Sequence, residues 1–138
     1  MRIMAIDYGD AHTGIAISDP TGFLAGFTTV INAYRPEVVA EQVAALAKEH
    51  GVEELVLGHP INMDGTRGPR SEKAQAMKAL LEETTSLPVV LWDERRTTID
   101  AHQILMGSGK NAKKRKKVVD AVAATLILEG YLTYKKSH

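Results

Sequence analysis

The sequence predicts an α/β domain: a mixed five-stranded sheet with helices on both faces. Three observations carry this. Apolar, β-branched runs recur at strand length, helical periodicity separates the later runs, and glycine- or proline-rich breakers fall between the elements. The element order that follows is β-β-β-α-β-α-β-α-α.

Each element has its own signal. "RIMAID" (2–7) and "GIAISD" (14–19) flank the polar, glycine-containing "YGDAHT", the pattern of a hairpin. "GFTTVI" (26–31) is a third strand, rich in β-branched residues. From Pro36 the period becomes helical, through Val39, Val43, Leu46, Ala47 and His50, and Gly51 ends it. "EELVLG" (53–58) is a short strand that enters the breaker-rich loop "HPINMDGTRGP". Residues 70–86 read as a helix with Ala74, Met77, Leu80 and Leu81 on one face. "PVVLWDE" (88–94) is apolar on both faces, as a central parallel strand would be. A helix follows over 97–106, "GSGKN" breaks the chain, and a last helix runs from about 115 to 133.

The first three strands, joined by short connections, form an antiparallel meander. The two later strands lie parallel to each other through right-handed crossovers. In such a sheet, sites gather at the C-terminal ends of the parallel strands, where strand order reverses. No repeat, linker or second domain interrupts the chain, so residues 1–138 read as one domain.

Composition narrows the class. The 138 residues are 44% hydrophobic and 25% charged, ordinary for a soluble globular protein. No apolar run approaches the roughly 20 residues needed to span a bilayer, and "MRIMAIDYGD" places an acid where a signal peptide needs its apolar centre. The chain has no cysteine, which excludes disulfides and thiolate metal sites and fits a cytoplasmic protein. Net charge is zero, from 17 basic and 17 acidic residues, so bulk charge names no partner. Its distribution says more. Lys110, Lys113, Lys114, Arg115, Lys116 and Lys117 cluster in "KNAKKRKK" with no acid among them, either a polyanion contact or a solvated loop.

The acids carry the chemistry. Asp7 ends the first strand, Asp93 and Glu94 end the last, and Asp120 interrupts the apolar "KVVDAVAATLIL" near the start of the last helix. Glu129, the next charge along that helix, lies about half a turn round at about 100° per residue. Glu129 therefore marks the solvent side, and Asp120 shares a face with Ala123, Ala124, Ile127 and Tyr131. Read singly, Asp120 is a helix-start carboxylate, Asp7 a turn-starting acid, and Asp93 and Glu94 surface acids beside Arg95 and Arg96. Together they would repel unless cations held them, and hard divalent cations favour carboxylate oxygen. Alternation alone does not choose between Asp93 and Glu94. For binding, the 58–70 loop offers Arg67, and "ERRTT" offers Arg95 and Arg96 at a helix start. The five histidines show no metal-ligand spacing, His50 and His102 reading as helix residues with no special role, and no aromatic platform for stacking single strands is visible.

"IDYG", "GHPINMDGTRG", "DERRTT" and "KKVVDAVAATLIL", in this order and spacing, resemble the YqgF-type, Holliday-junction-resolvase-like family assigned to pre-16S rRNA cleavage. The resemblance runs from residue 2 to about 132. It implies an RNase H-like fold and hydrolysis of phosphodiester bonds with Mg²⁺ or Mn²⁺. By motif, Asp7, Glu94 and Asp120 would hold the metal and carry catalysis. The implied partner is structured nucleic acid, an rRNA precursor before a DNA junction, with ribosomal particles in attendance; the chain would be a monomer or homodimer with no membrane contact. The chain departs from the family pattern at His12, His59 and Arg96, where a basic residue, an apolar residue and an apolar residue are usual. Two other readings stand beside this one. The first hairpin also resembles that of actin-like ATPases and sugar kinases, which normally need two such domains. A non-catalytic RNA-binding ribosome-assembly factor would keep the fold without the chemistry.

Overall fold

Five strands form one sheet in the order β3-β2-β1-β4-β5, so the chain's first strand lies at its centre. They are β1 (Arg2–Asp7), β2 (His12–Ser18), β3 (Ala25–Asn32), β4 (Val52–His59) and β5 (Val89–Asp93). The helices are α1 (Pro36–His50), α2 (Pro69–Thr85) and α3 (Ala112–Ser137). The computed structural model describes residues 1–21, 25–60, 68–93 and 112–137, with backbone only over 112–120 and at 137. The helix expected over 97–106 lies outside the described residues.

The meander is as expected: β1 pairs antiparallel with β2, and β2 with β3. β4 pairs parallel with β1 on one side and with β5 on the other. Strand order thus reverses between β1 and β4, whose C-terminal ends carry Asp7 and His59. Glycine is required in the β1–β2 turn, because a Cβ at Gly9 would collide with the His12 carbonyl oxygen.

Both faces of the sheet are covered. Met4 and Ile6 of β1, Ile15 and Ile17 of β2, and Leu55 and Leu57 of β4 pack against Val39 and Val43 of α1 and Met77 and Leu81 of α2. On the other face, Ile3, Ala5, Ala16 and Val56 meet Ala124, Ile127, Leu128 and Leu132 of α3. Burial of each large aliphatic side chain here contributes about 1.5–3 kcal/mol. β5 corrects one expectation: it is at the edge of the described sheet, not its centre. Its two apolar faces have another cause. Val89 and Leu91 join the α1–α2 layer, while Val90 and Trp92 join the α3 layer.

The helix ends follow local rules. Pro36 and Pro69 occupy first-turn positions where a missing N–H costs nothing. Gly51 closes α1 in the left-handed region (φ 67°), donating to the Ala47 and Lys48 carbonyls, and the Arg2 guanidinium donates to the His50 carbonyl at 2.6 Å. That bond and a ring contact with Phe27 at 4.6 Å give His50 a structural role. α3 starts at Ala112, earlier than expected, which corrects the loop reading of the basic cluster. Residues 113–117 are helical. Lys and Arg are good helix formers, and no glycine or proline falls between Ala112 and Lys117.

At its far end α3 is fastened to β4 and β5. Tyr131 donates its phenol proton to the Glu54 carboxylate, and Lys135 Nζ lies 3.3 Å from the same carboxylate. Trp92 meets Tyr131 and Tyr134 edge-on at 5.8 and 5.9 Å. Gly130 lets the helix approach this cluster, since a Cβ there would lie 3.3 Å from Trp92 Cζ2. Gly130→Leu should therefore overpack the contact and lower stability by about 1–3 kcal/mol. Urea unfolding followed by fluorescence of Trp92, the sole tryptophan, measures this, and an unchanged midpoint would contradict it.

The Tyr131 phenol is held well above its ordinary value of 10.0, chiefly by burial and then by its bond to Glu54. A raised folded-state value means that its stabilising contribution is whole below about pH 10 and is lost as pH rises through the folded value. Tyr131→Phe should cost about 1–2 kcal/mol at pH 7, on the scale of a hydrogen bond to a charged group. The gap between variant and wild type should narrow at pH 11; a gap of equal size at both pH values would refute the linkage.

Candidate active site at the strand ends

Asp7 is the last residue of the central strand, and its neighbours fix the face that it joins. Met4 and Ile6 belong to the α1–α2 layer, Ile3 and Ala5 to the α3 layer. Side chains alternate along a strand, so Asp7 falls on the α3 face. It is half-buried there.

Its flanks on that face carry no side chains. Asp7 pairs with Gly14 of β2, and the parallel β1–β4 register, with Ile6 against Leu57, brings Gly58 alongside on the other flank. Gly58 in turn pairs with Trp92 of β5. One row across four strands therefore reads Gly14, Asp7, Gly58, Trp92. Glycine at both neighbouring positions means that the adjacent strands place no side chain beside the carboxylate. Asp7 supplies the hard oxygen donor that Mg²⁺ or Mn²⁺ prefers, and the glycines leave room for further oxygen ligands, so this end of the row fits such an ion. Among the described residues no group of three acids or histidines gathers into a metal cluster.

The other expected acids fall differently. Asp93 follows Val89 and Leu91 in alternation, which puts it on the α1–α2 face, opposite Asp7, and it pairs in register with His59. This removes Asp93 from the Asp7 grouping. Glu94 lies outside the described residues, as do Arg67, Arg95, Arg96 and Lys110. Position 120 is helical, and the residues four, seven and eleven places on, Ala124, Ile127 and Tyr131, are all buried against the sheet. Position 120 thus belongs to the sheet-facing side of α3, and Glu129 is exposed, as the periodicity requires. Lys113, Lys114, Arg115, Lys116 and Lys117 occupy the first turns of the same helix.

Two features are not visible in sequence. His59 is buried, and its Nε2 lies 2.6 Å from the Ser71 hydroxyl of α2; Gln75 donates to that hydroxyl at 3.2 Å. His12 instead pairs its Nδ1 with the Asn32 amide oxygen at 2.6 Å. The second feature is a groove of about 420 Å³ on the α1–α2 side of the strand ends, lined by Tyr8, Tyr34, Lys73 and Met77 among others. Burial holds the Tyr8 phenol above its ordinary value, Lys73 opposing and Asp10 and Glu37 adding to the shift, so Tyr8 is a neutral donor at physiological pH.

The chain is similar to proteins of known sequence and structure over nearly its whole length. A protein of Halothermothrix orenii is 44% identical over 135 residues, covering 98% of this chain and 96% of its own. One of Bacillus subtilis is 43% identical over 134 residues, covering 96% and 97%. Each carries the name "Putative pre-16S rRNA nuclease". Among solved structures, Thermus thermophilus RuvC in complex with a Holliday junction substrate superposes with a TM-score of 0.65 at 13% identity, over 99% of this chain and 96% of that one. That likeness concerns the fold, and it bears out the RNase H-like expectation. A family model described as "RuvX: Holliday junction resolvase" matches residues 1–134, and with relatives this similar over nearly the whole length, the chain belongs to the RuvX family.

Proposed function

We propose that this protein is a divalent-metal-dependent nuclease that hydrolyses phosphodiester bonds at the ends of pre-16S rRNA, with Asp7, Glu94 and Asp120 holding Mg²⁺ or Mn²⁺. The observation that carries the reading is the placement of Asp7: at the end of the central strand, between Gly14 and Gly58, on the face that α3 covers with position 120 on its inner side. The names of the full-length relatives supply the substrate, and the motif "DER" supplies Glu94. On this reading the chain folds as one domain and works in the cytoplasm, alone or as a homodimer, against precursor RNA within ribosomal particles.

When bound, the metal ion lowers the pKa of an attacking water and offsets the charge that develops on the phosphate. The chain's own contribution is position. β1 is held by hydrogen-bonded neighbours on both sides, so the Asp7 carboxylate stands at a fixed point on a rigid element. Gly14 and Gly58 leave its flanks clear for phosphate oxygens. The packing of Ala124, Ile127 and Leu128 sets how far α3 lies from the sheet, and thereby the position of residue 120. Lys113 to Lys117, with Arg67, Arg95, Arg96 and Lys110, would contact phosphates and fix register without reading sequence.

Asp7→Asn, Glu94→Gln and Asp120→Asn should each fold and should each lose cleavage of precursor rRNA, by about a hundredfold or more, the scale on which removing one charge-stabilising group acts. The assay is gel analysis in Mg²⁺, Mn²⁺ or EDTA. Cleavage that survives in EDTA or in the variants would reject the three-carboxylate reading. A four-way DNA junction belongs in the same assay, given the family's description; cut in preference to RNA, it would replace the substrate. Binding of both without cleavage would favour an assembly factor.

The helical basic segment gives a separate expectation. Replacing Lys113, Lys114 and Arg115 with Gln should weaken nucleic-acid binding and reduce the slope of log affinity against log salt by roughly 2, at about 0.7–0.9 for each phosphate no longer neutralised. Anisotropy titrations from low to moderate salt measure it, and an unchanged slope would free the segment of any substrate role.

A further inference from the structure

The groove on the α1–α2 side has a composition that the nuclease reading does not use. Its walls are aromatic: Tyr8 follows Asp7 at the end of β1, and Tyr34 precedes α1. Tyr34 is 81% exposed, the most exposed large apolar side chain among the described residues. The floor is Met77, Leu80 and Pro36. At the rim, Lys73 lies 3.2 Å from the Asp10 carboxylate, and both groups are largely exposed. Such surface pairs are weak, so each partner can turn to a ligand at little cost.

A smaller cleft shares Tyr8, Asp10 and Lys73 with the groove and continues past Arg70 to Gly58, the glycine beside Asp7. Through Gly58 the cleft reaches the strand-end row that contains Asp7, from the opposite face of the sheet. Its volume suits a flat ligand of small-molecule size. Aromatic walls, an apolar floor, donors from Tyr8 and Lys73 and an acceptor from Asp10 match a nucleobase: a π-face to stack and polar edges to bond. Arg70, between the groove and Gly58, lies where the backbone of the same strand would pass.

We propose that this groove takes an unpaired base of the substrate strand, next to the phosphate that is cleaved, with Tyr34 and Tyr8 as the stacking surfaces. This rests on the nuclease reading and adds a preference: the strand is single-stranded next to the cleavage point. The arrangement also amends the expectation that the chain holds no aromatic platform. Tyr8 and Tyr34 are remote in sequence and line one groove only because the β1–β2 turn and the start of α1 lie at the same end of the sheet.

The test is binding in EDTA, so that it does not depend on cleavage. Short single-stranded RNAs carrying 2-aminopurine are titrated with wild type, Tyr34→Ala and Tyr34→Phe, beside duplex RNA of equal length; melting temperatures check folding. Wild type and Tyr34→Phe should quench 2-aminopurine. Tyr34→Ala should lose the quenching and bind single strands about tenfold more weakly, on the scale of one stacked base, with duplex affinity unchanged. Equal single-strand binding by wild type and Tyr34→Ala would overturn the proposal. So would equal losses for single strand and duplex, or displacement of the RNA by adenosine monophosphate at micromolar concentration, which would mark a free-nucleotide site. Quenching without any cleavage in Mg²⁺ would uphold the base site and reject the nuclease reading; cleavage without quenching would do the reverse.

Discussion

The burial of β1 on both faces is the constraint on which the rest of the site depends. With Met4 and Ile6 locked into the α1–α2 layer and Ile3 and Ala5 into the α3 layer, the strand cannot slip by one residue without moving four apolar side chains to the wrong layer. Asp7 inherits its face from that lock. The carboxylate lies where the apolar run of residues 3–6 ends and the polar turn begins.

The same constraint organises the neighbours. Pairing in register sets Gly14 and Gly58 on either flank, and pairing from Gly58 sets Trp92 beyond. Trp92 then seats Gly130, and Tyr131 anchors to Glu54, so the far end of α3 is fastened to the strands on the β4–β5 side of Asp7. A helix held at that end and packed along Leu128, Ile127 and Ala124 carries position 120 on its sheet-facing side. On the proposed reading, Asp120 takes its position from the apolar residues around it in sequence, and apolar packing aims the carboxylates of the site.

Much of this is legible in the sequence, and the failures have physical causes. The strands, α1, α2 and the inward side of α3 follow from period and breakers, because each element has one or two strongly apolar faces. The strand-end acids stand out for the same reason. The choice between Asp93 and Glu94 cannot be made from β5 alone: with both faces apolar, alternation is silent until one knows which layer each residue touches. Val90 and Trp92 reach α3, Val89 and Leu91 do not, and Asp93 falls with the latter. The same two-sided burial makes an edge strand look central. The basic cluster reads as either contact or loop because charge density masks good helix formers. His59 bonds to Ser71, and Tyr8 shares a groove with Tyr34, across distances in sequence that no local pattern encodes.

On the proposed reading the ion binds on the glycine-flanked side of Asp7, the face covered by α3. Paramagnetic broadening by substoichiometric Mn²⁺ in the amide spectrum tests it most directly. Signals of Asp7, Gly14 and Gly58 and of the α3 residues around position 120 should broaden first, and Asp7→Asn should abolish the effect. Broadening centred instead on Asp10 and Glu37, on the α1–α2 side, or left intact by Asp7→Asn, would contradict it.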